Sequence, residues 1–187
     1  MQIRASVDSE MPAISKLIEI AFGADQGLEI AQLIVALLQD ASAYPLLSLV
    51  ATQPSPTDQT DIIIGYILLT KAEIANVKSQ VNAAILAPLA VHPAYQAQGI
   101  GTQLIAQALM QQRTAGVDLI FVLGYPSYYA KQGFIPAGQY GFTAPYLIPV
   151  EHADAWMLQA LQPEIIGQFQ GQVICANALN DPRHWHE

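Results

Sequence analysis

A single cysteine, Cys175, occurs in the chain, so no internal disulfide can form, which fits a reducing compartment such as the cytoplasm. Within an apolar, strand-like run this lone thiol reads as packing rather than as a nucleophile. Basic residues are nearly as scarce, seven Lys and Arg against fifteen Asp and Glu, for a formal charge of -8. The seven are scattered at Arg4, Lys16, Lys71, Lys78, Arg113, Lys131 and Arg183, without the clustering that a phosphate backbone requires, and nucleic acid is therefore not an expected partner. The surplus of negative charge favours a cationic small molecule or peptide instead. Apolar stretches fall short of the ~18 to 20 residues that span a bilayer, and the N-terminus shows no charged region followed by an apolar block, so neither membrane insertion nor export is expected.

Hydrophobic residues, by contrast, make up 52% of 187 positions, ample for one core, and a single domain over residues 1–187 is expected. Gln2 to Val7 reads as a strand, with Asp8 or Ser9 as cap of the helix that follows. Ile14, Leu17, Ile18, Ala21 and Phe22 recur at helical spacing; Gly23 and Gly27 interrupt it; Ile30, Leu33, Ile34, Leu37 and Leu38 resume it on a second helix. Leu47 to Thr52 and Ile62 to Thr70 are strand candidates separated by a loop carrying Pro54, Pro56 and Asp58. Residues 72–82 turn the chain into the run Ala83 to Val91. Pro88 in that run removes a ladder donor, so the strand lies at an edge or beside a gap in the sheet. Leu119 to Leu123 is apolar enough to be buried on both faces. Pro126 and Gly133 bracket a short helix. The tail from Pro145 onward holds two more strand candidates, Trp156 to Leu161 and Gln172 to Ala176, joined through Gly167 and Gly171.

The strongest functional signal is the stretch Val91-His92-Pro93-Ala94-Tyr95-Gln96-Ala97-Gln98-Gly99-Ile100-Gly101-Thr102, set between a strand and a helix whose apolar face carries Ile100, Leu104, Ile105, Ala108 and Leu109. The first N–H groups of a helix lack intrahelical partners and sit at the positive end of its dipole, so a pyrophosphate can bind there without a basic side chain. Gly99 and Gly101 permit a tight entry and a close approach of the ligand. A helix that merely begins with two glycines is the bland alternative, since a lone Gly-x-Gly is weak evidence.

Strand, Gln-x-x-Gly-x-Gly, helix, strand and then Tyr-x-x-x-Gly-Phe is an order that resembles the GNAT superfamily of N-acetyltransferases. Gln96, Gly99 and Gly101 match its acyl-CoA motif, and Tyr129, Gly133 and Phe134 its later tyrosine motif. The phrases around Pro88 to Pro93 and Val122 to Tyr129 are similar to the predicted acetyltransferases of the YhbS-like group. The resemblance is dense from about Ile85 to Ala137 and looser elsewhere. It implies a mixed α/β domain of GNAT-type acyl-CoA N-acyltransferase fold, its mixed sheet splayed between the fourth and fifth strands and flanked by helices, with an acetyl-CoA-binding core over about 83–137 and C-terminal strands over about 145–187. It further implies that acetyl-CoA is the cosubstrate, that the pantetheine amides pair with backbone groups of Leu89, Ala90 and Val91, and that the pyrophosphate sits on N–H groups of Ala97, Gln98, Gly99, Ile100, Gly101 and Thr102. Gln96 stands where the family often has arginine. Its amide can brace the loop but brings no charge.

The implied reaction is direct attack of a primary amine on the thioester within a ternary complex, with Tyr129 as general acid toward the departing thiolate. An unperturbed tyrosine titrates near ~10 and a thiol near ~8.5, so the phenol stays protonated and able to donate. Tyr128 should face another side of the short helix and pack. Glu29 and Glu73 are candidate bases, His92 reads as structural, and His184 and His186, without a third ligand at useful spacing, read as surface residues rather than a metal pair. No metal is expected. The acceptor is expected to be a small molecule in preference to a protein, and an apolar tail strand could pair across a homodimer. A module that binds or senses acyl-CoA without turnover is the alternative of another class. A dinucleotide-dependent oxidoreductase is disfavoured because no Gly-x-Gly-x-x-Gly follows an early strand.

Overall fold

The computed structural model describes residues 1–55, 61–77 and 81–185; Pro56 and Asp58 of the expected loop, part of the 72–82 turn and His186 lie outside them. Four strands, β1 (Gln2–Ala5), β2 (Leu47–Pro54), β3 (Asp61–Ile74) and β4 (Ala83–Val91), form an antiparallel meander. The helix α2 (Ile100–Thr114) then crosses over to β5 (Leu119–Leu123), which runs parallel to β4. Beyond β5 the sheet continues antiparallel through β8 (Trp156–Ala160) to the two-residue β6 (Ile135–Pro136). Side chains alternate across the strands, and each face of the sheet buries its own cluster. On one face Tyr66, Leu68, Phe121 and Leu158 pack beneath α1 (Met11–Gln39); on the other Ile67, Leu69, Ile120 and Val122 pack beneath Leu104, Ile105 and Ala108 of α2.

The decisive feature is where the ladder between β4 and β5 stops. Pairing runs from Ala83 with Leu119 to Ile85 with Phe121 and no further, although both strands continue. The sheet therefore splays between its fourth and fifth strands, as expected. On its other side β4 shifts register against β3 between Ile67 and Leu69, opposite the Leu86 to Leu89 segment that holds Pro88. A residue without an N–H sits where no ladder asks for one. The far edge of β5 is held firmly instead. All five of its residues pair with β8, and the Phe121 ring stacks on Trp156 at 5.2 Å between centroids.

Gly23 breaks the first helix, with φ 77° and ψ -179°, a conformation reserved in practice for glycine. Gly27 does not interrupt: it lies within the second helical segment, pressed against the backbone of Glu19, to whose Cα an added Cβ would approach within 2.6 Å. Neither Asp8 nor Ser9 caps. They enter a 3₁₀ turn ending at Glu10, whose carboxylate accepts from Val7 N–H at 2.9 Å and from Arg4, and these contacts hold it below the usual carboxylate range. By length and composition residues 8–39 could cross a bilayer, contrary to the expectation from the length of the apolar stretches. The segment is nonetheless bent at Gly23, carries Asp25 and Glu29 just beyond the bend, and buries Ile14, Leu17, Ile18, Ile34 and Leu37 against the sheet.

The tail strand is β9 (Gly171–Ile174), shorter than expected, and it finds its partners within the chain: the end of β3 on one side and β7 (Phe142–Thr143) on the other. Cys175 beside it is half-buried and its thiol is pushed up to about 11 by burial.

The Gly27 contact decides the sign of one substitution. Alanine gains about 1 kcal/mol over glycine inside a helix, whereas overpacking costs about 1–3 kcal/mol, and here the obstacle is backbone rather than a movable side chain. Gly27→Ala should lower the urea midpoint of unfolding; a raised midpoint would show that the two helical segments do not meet as described.

Candidate active site

The splay opens a cleft of about 1170 Å³ that passes from the α2 face of the sheet to the α1 face. Single ligand pockets usually hold ~300 to 1,000 Å³, so this space suits two reactants side by side. One wall is the released edge of β4. His92 N–H donates to Ile64 O of β3 at 2.9 Å, so by strand alternation the N–H and C=O groups of Val91 and Leu89 point into the cleft and those of Ala90 point back to β3. That corrects the expectation for Ala90, which does not line the cleft, whereas Leu89 and Val91 do. The carbonyl of Val91 is occupied: Gln96 Nε2 donates to it at 3.1 Å, tying the loop to the strand end.

The loop from Gln96 enters α2 through two left-handed residues, Ala97 at φ 58° and Gly99 at φ 80°. For alanine this conformation costs roughly 1–2 kcal/mol. The expenditure orients successive N–H groups toward one concave surface, a known anion-binding arrangement. Ile100, Gly101 and Thr102 follow as the first turn of α2, whose N–H groups have no intrahelical acceptor; the first bond closing the helix runs from Gln103 N–H to Gly99 O at 3.0 Å. Gln96, Ala97, Gly99, Ile100, Gly101 and Thr102 all line the cleft. Gln98 does not, and its side chain donates to Ala94 O at 3.4 Å.

Gly101 has a different physical reason from the one its spacing suggested. A Cβ there would run into the hydroxyl of Tyr128, which lies over the first turn of α2 within reach of Thr102, while Gln132 Nε2 donates to Thr102 Oγ1 at 3.2 Å. Tyr128 thus does not turn to another side: it and Tyr129, edge to face at 5.2 Å, both line the cleft, and partial burial pushes the Tyr128 phenol up. Tyr129 ends α3 (Pro126–Tyr129), is 8% exposed, and packs its ring against Phe134 and over Gly124, where a Cβ would lie 2.5 Å from the ring. Gly133, at φ 90°, ends the helical stretch as expected.

Of the candidate bases, Glu29 lines the cleft; Glu73 does not, being ion-paired with Lys71 at 2.7 Å on β3. His92 caps a 3₁₀ turn, its Nδ1 accepting from Ala94 N–H at 3.2 Å. His184 is no surface residue of a loose tail. Its side chain is 12% exposed, lines the cleft, and stands 3.9 Å from the Glu29 carboxylate. The next residue, Trp185, is fixed by donating from Nε1 to Leu179 O at 3.0 Å and packs on Trp156, the residue opposite Leu123 at the end of β5. Arg183, His152 and the 75% exposed Tyr125 also border the cleft, and no local pattern singled them out. They are gathered by folding over long sequence distances, as when Asp40 Oδ2 accepts from Ala178 N–H at 2.8 Å.

Burial pushes the His184 imidazole below its ordinary value, against the smaller upward pull of Glu29 and Asp181. The neutral form is therefore favoured by folding, and the stability this contributes is present above the unfolded-state value near ~6.5 and is lost as pH falls through the lower folded value. In an NMR titration His184 should titrate below ~6.5, and Glu29→Gln should lower it further; an upward shift on removing Glu29 would contradict the arrangement.

Three comparisons bear on this geometry. The family model described as an acetyltransferase (GNAT) domain matches residues 49–136. The uncharacterized N-acetyltransferase YjhQ of Escherichia coli is 40% identical over 148 residues, covering 79% of this chain and 78% of that protein. Among solved structures, the GNAT N-acetyltransferase YhbS of Escherichia coli in complex with CoA superposes with a TM-score of 0.81 at 26% identity over 96% of this chain and 92% of its own. A GNAT acetyltransferase of Brucella melitensis in complex with acetyl-CoA gives 0.71 at 26% identity, over 95% and 97%. Splayed strands, a glycine-bearing helix entry and sequence kinship agree, and the chain belongs to the GNAT family of acetyltransferases.

Proposed function

We propose that the protein transfers the acetyl group of acetyl-CoA to a primary amine, by direct attack while both are bound. The observation that carries this reading is the junction of an unpaired strand edge with an open helix entry, beside a tyrosine held on a buried turn. The residues present suit the cosubstrate. N–H groups from Ala97 to Thr102 form a cradle for a diphosphate, and the cleft-facing groups of Leu89 and Val91 can pair with amides of an extended chain. No Lys or Arg among the described residues borders that end of the cleft, so diphosphate affinity rests on backbone donors and hydroxyls. That YhbS and the Brucella protein were solved with CoA and acetyl-CoA supports the same assignment.

When bound, acetyl-CoA supplies an electrophilic acyl carbon and a thiolate leaving group. The chain supplies the rest. The apolar walls of β4 and β5 limit water that would hydrolyse the thioester, Gly124 lets the Tyr129 ring close over the end of β5, and the Tyr129 hydroxyl donates its proton to the departing sulfur. Attack requires a neutral amine, and the cleft-lining carboxylate of Glu29 and imidazole of His184 are the groups at the opposite face that can take up its proton. A cytoplasmic setting and an acceptor of small size are part of the proposal.

Tyr129→Phe tests the catalytic role. General acid catalysis contributes typically ~100-fold or more, so free-thiol release should fall about a hundredfold while the calorimetric affinity for acetyl-CoA stays nearly constant. Equal turnover by the variant, or no heat from wild-type protein with acetyl-CoA, would contradict the reading.

A further inference from the structure

On the α1 side of the sheet the cleft ends in a wall of two kinds. Phe22, Ile30 and Leu33 of α1 and Leu179 and Trp185 of the tail present apolar surface. Set into it are Gln26, Glu29, Arg183 and His184. The charges there do not cancel. Arg183 is already held by Asp181, to whose Oδ2 its Nε donates at 3.0 Å and its Nη2 lies at 2.9 Å. Its approach to Glu29 is longer, 3.8 Å, and His184 stands 3.9 Å from the same oxygen, neither within hydrogen-bonding distance. Burial favours the neutral imidazole, so His184 adds no positive charge at neutral pH. Asp181 and Arg183 offset one another, and the Glu29 carboxylate, 46% exposed, is left as one surplus negative charge facing the cleft.

We propose that this end of the cleft recognises the acceptor as a primary amine on an apolar body carrying no second charge, its ammonium placed at Glu29 and its body laid along Phe22, Ile30, Leu33 and Leu179. The inference rests on the transferase reading and names its substrate class. One carboxylate matches one ammonium. A second ammonium farther along the body would lie against hydrocarbon without a second carboxylate among the described lining residues, and a carboxylate there would find no cation but Arg183, already held by Asp181. Glu29 binds the acceptor in its protonated form, and the proton must leave before nitrogen attacks the acyl carbon; His184, adjacent and neutral, is the group beside it that can receive it.

A matched series of amines separates these contributions. With saturating acetyl-CoA, free-thiol release is measured for hexylamine, hexamethylenediamine, aminocaproate and methylamine. The first three share a chain length and differ only in the charge at its far end; the last lacks the body. Hexylamine should exceed each of the others by about tenfold or more in kcat/KM, in line with the ~1.4 kcal/mol that a factor of ten represents. Glu29→Gln should raise KM for hexylamine about tenfold while the calorimetric Kd for acetyl-CoA is unchanged. Preference for hexamethylenediamine or aminocaproate, equal use of methylamine, or turnover of none of the four by protein that binds acetyl-CoA would overturn the inference and leave the transferase reading standing. Absence of acetyl-CoA binding to the wild type would overturn both.

Discussion

The cleft of this molecule depends on the strand pairing that stops at Ile85 and Phe121. Backbone groups at a released edge inside a protein must find partners or water, because leaving them unmet in apolar surroundings is costly. The fold meets that demand in part with its own atoms, since Gln96 closes the Val91 carbonyl and Pro88 has no N–H to satisfy. What is left is the N–H and C=O of Leu89 and the N–H of Val91, at the end of the strand that leads to the N–H groups of the α2 entry.

The gap persists because the strands are held from outside. β4 is fastened to β3 along most of its length, and β5 is fastened to β8 along all of its own, with the Phe121 and Trp156 rings stacked beneath. Burying an aromatic side chain of this size contributes about 1.5–3 kcal/mol, about twice the ~0.5 to 1.5 kcal/mol net value of one backbone hydrogen bond. Full pairing of β5 with β8 and this stacking hold the outer edge against the few ladder bonds that closing the gap would regain. Glycines set the close approaches: Gly124 admits the Tyr129 ring and Gly101 the Tyr128 hydroxyl, so the two tyrosines line the cleft from one short helix.

Much of this was legible in the chain. Alternation and helical spacing marked the strands and helices of the sheet's centre, Pro88 marked either an edge or a gap, and the glycines at 99 and 101 marked the entry to α2. Each is a local signal, read from a few neighbouring residues. Where local reading erred, the physics was long-range. The hydroxyl that makes Gly101 necessary comes from Tyr128, in another element. Ala90 was grouped with its neighbours because a sequence does not say which edge of a strand its carbonyls face; the bond from His92 to Ile64 does. The α1-side wall of the cleft was the least legible part. Arg183 and His184 belong to a tail with no periodicity of its own, and only its anchoring through Trp185 and through Asp40 brings them opposite Glu29.

The central claim is that the open edge of β4 and the entry of α2 together hold the thioester carrier. An amide-resolved NMR titration with acetyl-CoA tests it most directly. The account predicts that the resonances of Leu89, Val91 and Ala97 to Thr102 shift or broaden together while those of β1 and β2 stay in place. Saturable binding that moves other amides and leaves residues 97–102 unperturbed would contradict it.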